Sequence, residues 1–139
     1  MGLLELLFGQ RAVAQPNPPR AHVARAVEIM RAANPNALIG YERYLVVMIE
    51  DVRDPDGRLF RIEIQSTPDG QHAIALVRYS PWGSTSDAHC LSGVICLGPN
   101  GHGSNVTSSP YALEVVIPRA RFWCVAVSHF HETGEFPSP

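Results

Sequence analysis

The sequence predicts an α+β domain whose helices are segregated at the ends of an antiparallel sheet, and three observations predict it. Apolar residues recur at helical spacing near both ends, at Val23, Ala26, Val27 and Met30 and again at Trp123, Ala126, Val127 and Phe130. Between them the pattern changes to that of a strand: Phe60, Ile62 and Ile64 alternate with Arg61, Glu63 and Gln65. Two Pro-Asp-Gly triplets, Pro55-Asp56-Gly57 and Pro68-Asp69-Gly70, punctuate this middle region. Period-3.6 patterning flanking period-2 patterning with tight turns is the signature of helices packed on a meander.

Taken in order, residues 1–19 form an apolar segment (Leu3, Leu4, Leu6, Leu7, Phe8) followed by a linker rich in proline (Pro16, Pro18, Pro19), and residues 20–139 form a single domain. The apolar segment is short and interrupted by Glu5, so neither a signal sequence nor a membrane span is expected from it. A helix is expected over 21–34. Asn34-Pro35 ends it, because the residue before proline avoids the helical region. Strands are expected over 44–52, 60–65 and 72–79. In the turns between them proline presets the first dihedral and glycine accepts a positive φ. A short β-type run follows over 93–97, then a loop over 98–110. A helical stretch is expected over 111–117, with Pro118 breaking or restarting it, and a second helix over 118–133 stops at Gly134.

The chain has 139 residues, enough for one core. A formal net charge of −2, with no basic run, argues against nucleic acid as a partner and leaves proteins as the expected ones. The three cysteines, Cys90, Cys96 and Cys124, have no framework spacing, which fits a reducing, cytoplasmic setting.

Cys96 is the candidate for chemistry. It ends the run Gly93-Val94-Ile95-Cys96-Leu97, at the mouth of a loop containing Asn100, His102 and Asn105, where a large reactant can reach it. Thioester chemistry suits such a residue, with the thiolate as nucleophile and nearby donors holding an oxyanion. The plainer alternative is a cysteine packed as a small hydrophobe. Cys90 and Cys124 are read as core or near-core thiols, Cys90 also as a possible disulfide partner protecting Cys96.

His89, followed by Gly93-Val94-Ile95-Cys96-Leu97 directly after a meander, resembles the ubiquitin-conjugating enzyme fold, in which a His-Pro-Asn segment precedes Gly-x-Ile-Cys-Leu. The ending Ile117-Pro118-Arg119-Ala120, Trp123, Phe130 and Thr133-Gly134-Glu135-Phe136-Pro137 is similar to that of bacterial ubiquitin-conjugating-like proteins. The resemblance implies a transferase that needs no cofactor. An activating enzyme passes a ubiquitin-like protein to Cys96 as a thioester, and an amine of a protein target then attacks it. It implies loop-shaping roles for His89 and Gly93. Bacterial members are associated with small conjugation systems, some linked to antiviral defence. The chain departs from the family where Cys90-Leu91 replaces Pro-Asn, so the oxyanion asparagine is displaced. Asn100, His102 or Asn105 are the candidates to replace it, His102 also as general base.

Two other readings use the same residues. One is an inert adaptor of this fold. The other is a cysteine hydrolase pairing Cys96 with His102 or His131. A metal site is not expected, because His129 and His131 at i, i+2 diverge on a helix and Cys90 and Cys96 lack the close spacing of zinc ligands. Trp123 is expected in the core. Trp82, after Pro81, is expected either to cover the cysteine region or to meet a partner.

Overall fold

The computed structural model describes residues 20–83, 90, 91, 93–97 and 105–137, with side chains at 20–24 and 91 excluded. The apolar segment and linker of residues 1–19 lie outside the described residues. The described chain is α+β, with α1 (Arg20–Ala33), β1 (Leu38–Glu42), β2 (Leu45–Arg53), β3 (Leu59–Ser66), β4 (Ala73–Tyr79), β5 (Cys90–Leu91), β6 (Val94–Ile95), a 3-10 turn (Val106–Ser108) and α2 (Leu113–Thr133). The six strands form one sheet in the order β1-β2-β3-β4-β6-β5, with every neighbouring pair antiparallel.

Asn34 stops α1 as expected: its backbone N–H donates to Met30 O, and its side chain accepts from Asn36 N across Pro35. The next strand, β1, was not expected. It pairs with β2 through the two-residue loop Arg43-Tyr44, whose φ angles are +48° and +70°. The expected first strand therefore begins one residue later, at Leu45, and the meander has four strands rather than three. The two Pro-Asp-Gly turns form as read. Gly57 N donates to Asp54 O and Gly70 N to Thr67 O, with both glycines at positive φ.

Pairing in register puts even-numbered residues of β2 and β3 on one face. Val46, Met48, Phe60, Ile62 and Ile64 are fully buried there, joined by Ala73 and Ala75 of β4 and by Ile95 of β6. Both helices cover this face. From α1 come Ala26 and Met30, and from α2 come Leu113, Val116, Ile117, Ala120, Trp123, Cys124 and Val127, at the recurring three- and four-residue spacing of a helix stripe. Trp123 meets Phe60 edge-on at 6.2 Å between ring centroids.

The C-terminal part corrects the expectation of two helices meeting at Pro118. One helix runs from Leu113 to Thr133 with Pro118 inside it. Proline removes the N–H that would bond Glu114 O. Pro118 and Glu114 are both exposed, so water can serve that carbonyl, while the buried stripe passes on the other side. Gly134, at φ +81°, closes the helix by donating its N–H to Phe130 O.

Candidate functional site

The site is built from the edge hairpin β5–β6. Its register pairs Cys90 with Ile95 and Leu91 with Val94, and Gly93 makes the turn at φ +82°. The hairpin is held to the sheet by the Leu76–Val94 pairing and by Val77 N donating to Gly93 O at 2.9 Å. Alternation along an extended chain then decides what each side chain meets. Ile95 and Leu97 are buried, and Cys96 between them is partly exposed. Flanking core residues thus fix the backbone while the thiol faces outward.

The same alternation bears on Cys90, which is buried across from Ile95. Cys90 shares the inward side with Ile95, and Cys96 takes the other. A disulfide between them would need their Cβ vectors to converge, so the protective pairing considered from the sequence is disfavoured by the pleat. Cys124 is also buried. Desolvation, reinforced by the Glu50 carboxylate, pushes its thiol up to about 12. At neutral pH it is a protonated core thiol.

Directly after the thiol, the chain is tied to α2: Arg119 Nη1 donates to Leu97 O at 3.0 Å, and the guanidinium carbon stands 5.0 Å from the Tyr111 ring centroid. Tyr111 is itself placed by Ala73 N donating to its carbonyl. In the sequence Arg119 figures only within the C-terminal segment that carries the resemblance, with no role of its own. Its contact spans 22 residues, which no local periodicity reveals.

Of the other candidate residues, His89, Asn100 and His102 lie outside the described residues. Asn105 is exposed and serves as the N-cap of the 3-10 turn. Its Oδ1 accepts from Ser108 N and from Thr107 Oγ1, and Ser108 Oγ accepts from Asn105 N, completing a capping box. Asn105, Val106 and Thr107 line one wall of an open cleft of about 350 Å³, with Ile74, Leu76 and Val94 among the residues opposite. Asn105 therefore belongs to the same side of the sheet as Val94, and its carbonyl oxygen is committed to the turn.

Trp82 does not cover the cysteine segment. Its indole N–H donates to Ser128 Oγ at 2.9 Å, its ring stacks on His131 at 4.8 Å, and the Arg58 guanidinium lies 4.6 Å from its centroid. Ser128 lies nine residues beyond Arg119 on α2, roughly 13 Å along the axis. His129 is exposed.

The fold and site together define a class no narrower than an α+β domain that presents a partly exposed thiol at the end of an edge hairpin. No family model, no curated protein and no solved structure matches the chain. Among the described residues no helix is long and apolar enough to cross a membrane.

Proposed function

We propose that this chain is a ubiquitin-conjugating-like transferase that carries a ubiquitin-like protein on Cys96. The observation that supports it most is the placement of that thiol, outward and partly exposed between buried Ile95 and Leu97, in a chain ordered helix, four-stranded meander, cysteine hairpin, helix. A carrier needs a rigid platform with a nucleophile accessible to two large proteins in turn. An edge hairpin anchored to a buried sheet offers that.

In the first step the Cys96 thiolate attacks the carbonyl carbon of the ubiquitin-like protein's C-terminus. The new C–S bond replaces the one to the activating enzyme, whose thiolate leaves. In the second, a target amine attacks the same carbon. Its C–N bond forms, the amine loses a proton to solvent or a base, and the Cys96 thiolate is released. His102 is proposed as that base and Asn100 as the oxyanion donor. Asn105 is the other candidate donor: its Oδ1 caps the 3-10 turn, and its Nδ2 is the group that would face an oxyanion. The partners are the ubiquitin-like protein, its activating enzyme and a protein target, in a bacterial cytoplasm.

The test is incubation with a ubiquitin-like protein, its activating enzyme and ATP, read on a non-reducing gel. The expected result is an adduct that thiol reductant removes and that Cys96→Ser converts to a reductant-resistant ester or loses. No adduct from a competent activating enzyme would favour the inert adaptor. An adduct on Cys90 would overturn the assignment of the nucleophile.

A further inference from the structure

We infer that the face of the sheet turned away from the helices is the docking surface for this chain's own N-terminal apolar segment, Leu3 to Phe8. This holds whether or not Cys96 carries a thioester. Even-numbered residues of β2 and β3 pack under the helices, so the odd-numbered ones point to the outer face. Val47 and Glu63 are fully buried there, and Ile74 of β4, paired with Gln65, is 4 % exposed. Neither Val47 nor Ile74 belongs to the core beneath the helices. Among the described residues the 3-10 turn reaches this face, at β4, where Val106 is buried, and both helices lie on the other. Glu63 accepts from Arg78 Nε and from Gln65 Nε2, both at 2.6 Å, so its carboxylate is satisfied by the protein and tolerates a dry cover.

Composition and reach point to the occupant. Outside the described residues, positions 84–89, 92, 98–104 and 138–139 hold only Ser, Thr, Gly, Pro, Asn, Asp, His and one Ala. The large apolar side chains are concentrated instead in Leu3, Leu4, Leu6, Leu7 and Phe8. In a helix Leu3, Leu4, Leu7 and Phe8 would share one side, with Glu5 on the other. The outer face offers them an open cleft of about 350 Å³ lined by Leu45, Ile74, Leu76, Val94 and Val106. That cleft begins at the Gln65–Ile74 pair, one step from the turn joining β3 to β4. The same turn holds α1, because Ala26 N donates to Pro68 O. The chain therefore enters α1 beside the end of the sheet where the cleft opens. Layers on opposite faces of a sheet stand about 20 Å apart, about 10 Å on each side. Residues 9–19 reach about 36 Å when extended, which is enough to round that end. Val94 and Cys96 take the same side by alternation, so the docked segment runs along the hairpin that presents the thiol.

The experiment is NMR on the full wild-type chain with Ile, Leu and Val methyls labelled. Cross-relaxation should connect the methyls of Leu3, Leu4, Leu6 or Leu7 with those of Val47, Ile74, Leu76 or Val94, and should persist on dilution. A mixture of chains labelled in different methyl types separates the occupants: contacts that arise only between molecules would give the face to a second copy and overturn the inference. Outer-face methyls with no contact to the N-terminal leucines would overturn it as well. Leu4→Asp combined with Leu7→Asp should shift the methyl signals of Val47, Ile74, Leu76 and Val94 while those of Ile62 and Ile64, under the helices, stay in place. Outer-face signals superimposable on wild type in the folded variant would overturn the docking. If that variant does not fold, the wild-type contacts decide.

Discussion

At the scale of single residues, the most constrained carboxylate is Asp54. Its side chain is fully buried and accepts hydrogen bonds from Ser128 Oγ, from the backbone of Asp56 and Arg58, and from the Arg58 guanidinium. Burial alone would push its pKa up, but these donors together outweigh it and hold the carboxyl below its ordinary value. Because the folded-state pKa is the lower one, the stabilisation is complete above the unfolded value and is lost as pH falls through the folded value. The loss therefore begins below about pH 4. Asp54→Asn keeps one acceptor for the backbone donors but loses the charge that Ser128 and Arg58 bind. It should cost about 2–3 kcal/mol at neutral pH. That cost should shrink on acidification, measured as the difference in urea unfolding free energy between the two proteins. A difference that stays constant from neutral to acid pH would show that Asp54 is not the titrating group.

At the scale of elements, the Arg43-Tyr44 loop stands out. A two-residue hairpin needs positive φ at both positions, which suits Asn-Gly and strains residues with large side chains. Tyr44 is 64 % exposed, so replacing it sacrifices little packing. Arg43→Asn combined with Tyr44→Gly should stabilise the domain by about 1 kcal/mol, a rise in Tm of roughly 3–5 °C by calorimetry. No change, or a fall, would mean that the two side chains contribute more than the strain costs. This loop also marks where the sequence was hard to read. Turns carrying Pro-Asp-Gly were legible because their residue chemistry dictates their dihedrals. The turn between β1 and β2 lacks that chemistry, so β1 was missed. Pro118 misled in the opposite direction: a strong local breaker was overridden because the stripe of Leu113, Val116, Ile117 and Ala120 continues through it on the buried side. At the site, Gly93 and the alternation of Ile95, Cys96 and Leu97 were visible locally. The Arg119 contact depends on how α2 docks and was not.

At the scale of the whole molecule, one polar clasp joins three elements that the apolar core alone would leave free to slide. Glu50 projects from β2 toward the helices with its side chain 4 % exposed, and Arg121 of α2 grips both carboxylate oxygens, at 2.8 and 2.5 Å. Asn34, just after α1, donates to the same carboxylate, and Arg121 also donates to Ala33 O at the end of that helix. Hydrophobic contacts are non-directional, whereas a two-pronged pair fixes the rotation and height of α2 against both the sheet and α1. The two partners are not equivalent. Arg121→Ala strands a buried carboxylate with Asn34 as its remaining hydrogen-bond donor. It should cost about 2–4 kcal/mol, the lower part of the usual range because the guanidinium is 36 % exposed. Glu50→Ala releases a guanidinium that can turn to water, and should cost less. In a double-mutant cycle by denaturant unfolding, the double variant should be less destabilised than the sum of the singles, by about 1–3 kcal/mol. Strict additivity would mean that the core alone sets the docking of α2. Arg121 is two residues from Arg119, so the clasp that fixes α2 also fixes the height at which Arg119 meets Leu97 O, and through it the segment that presents Cys96.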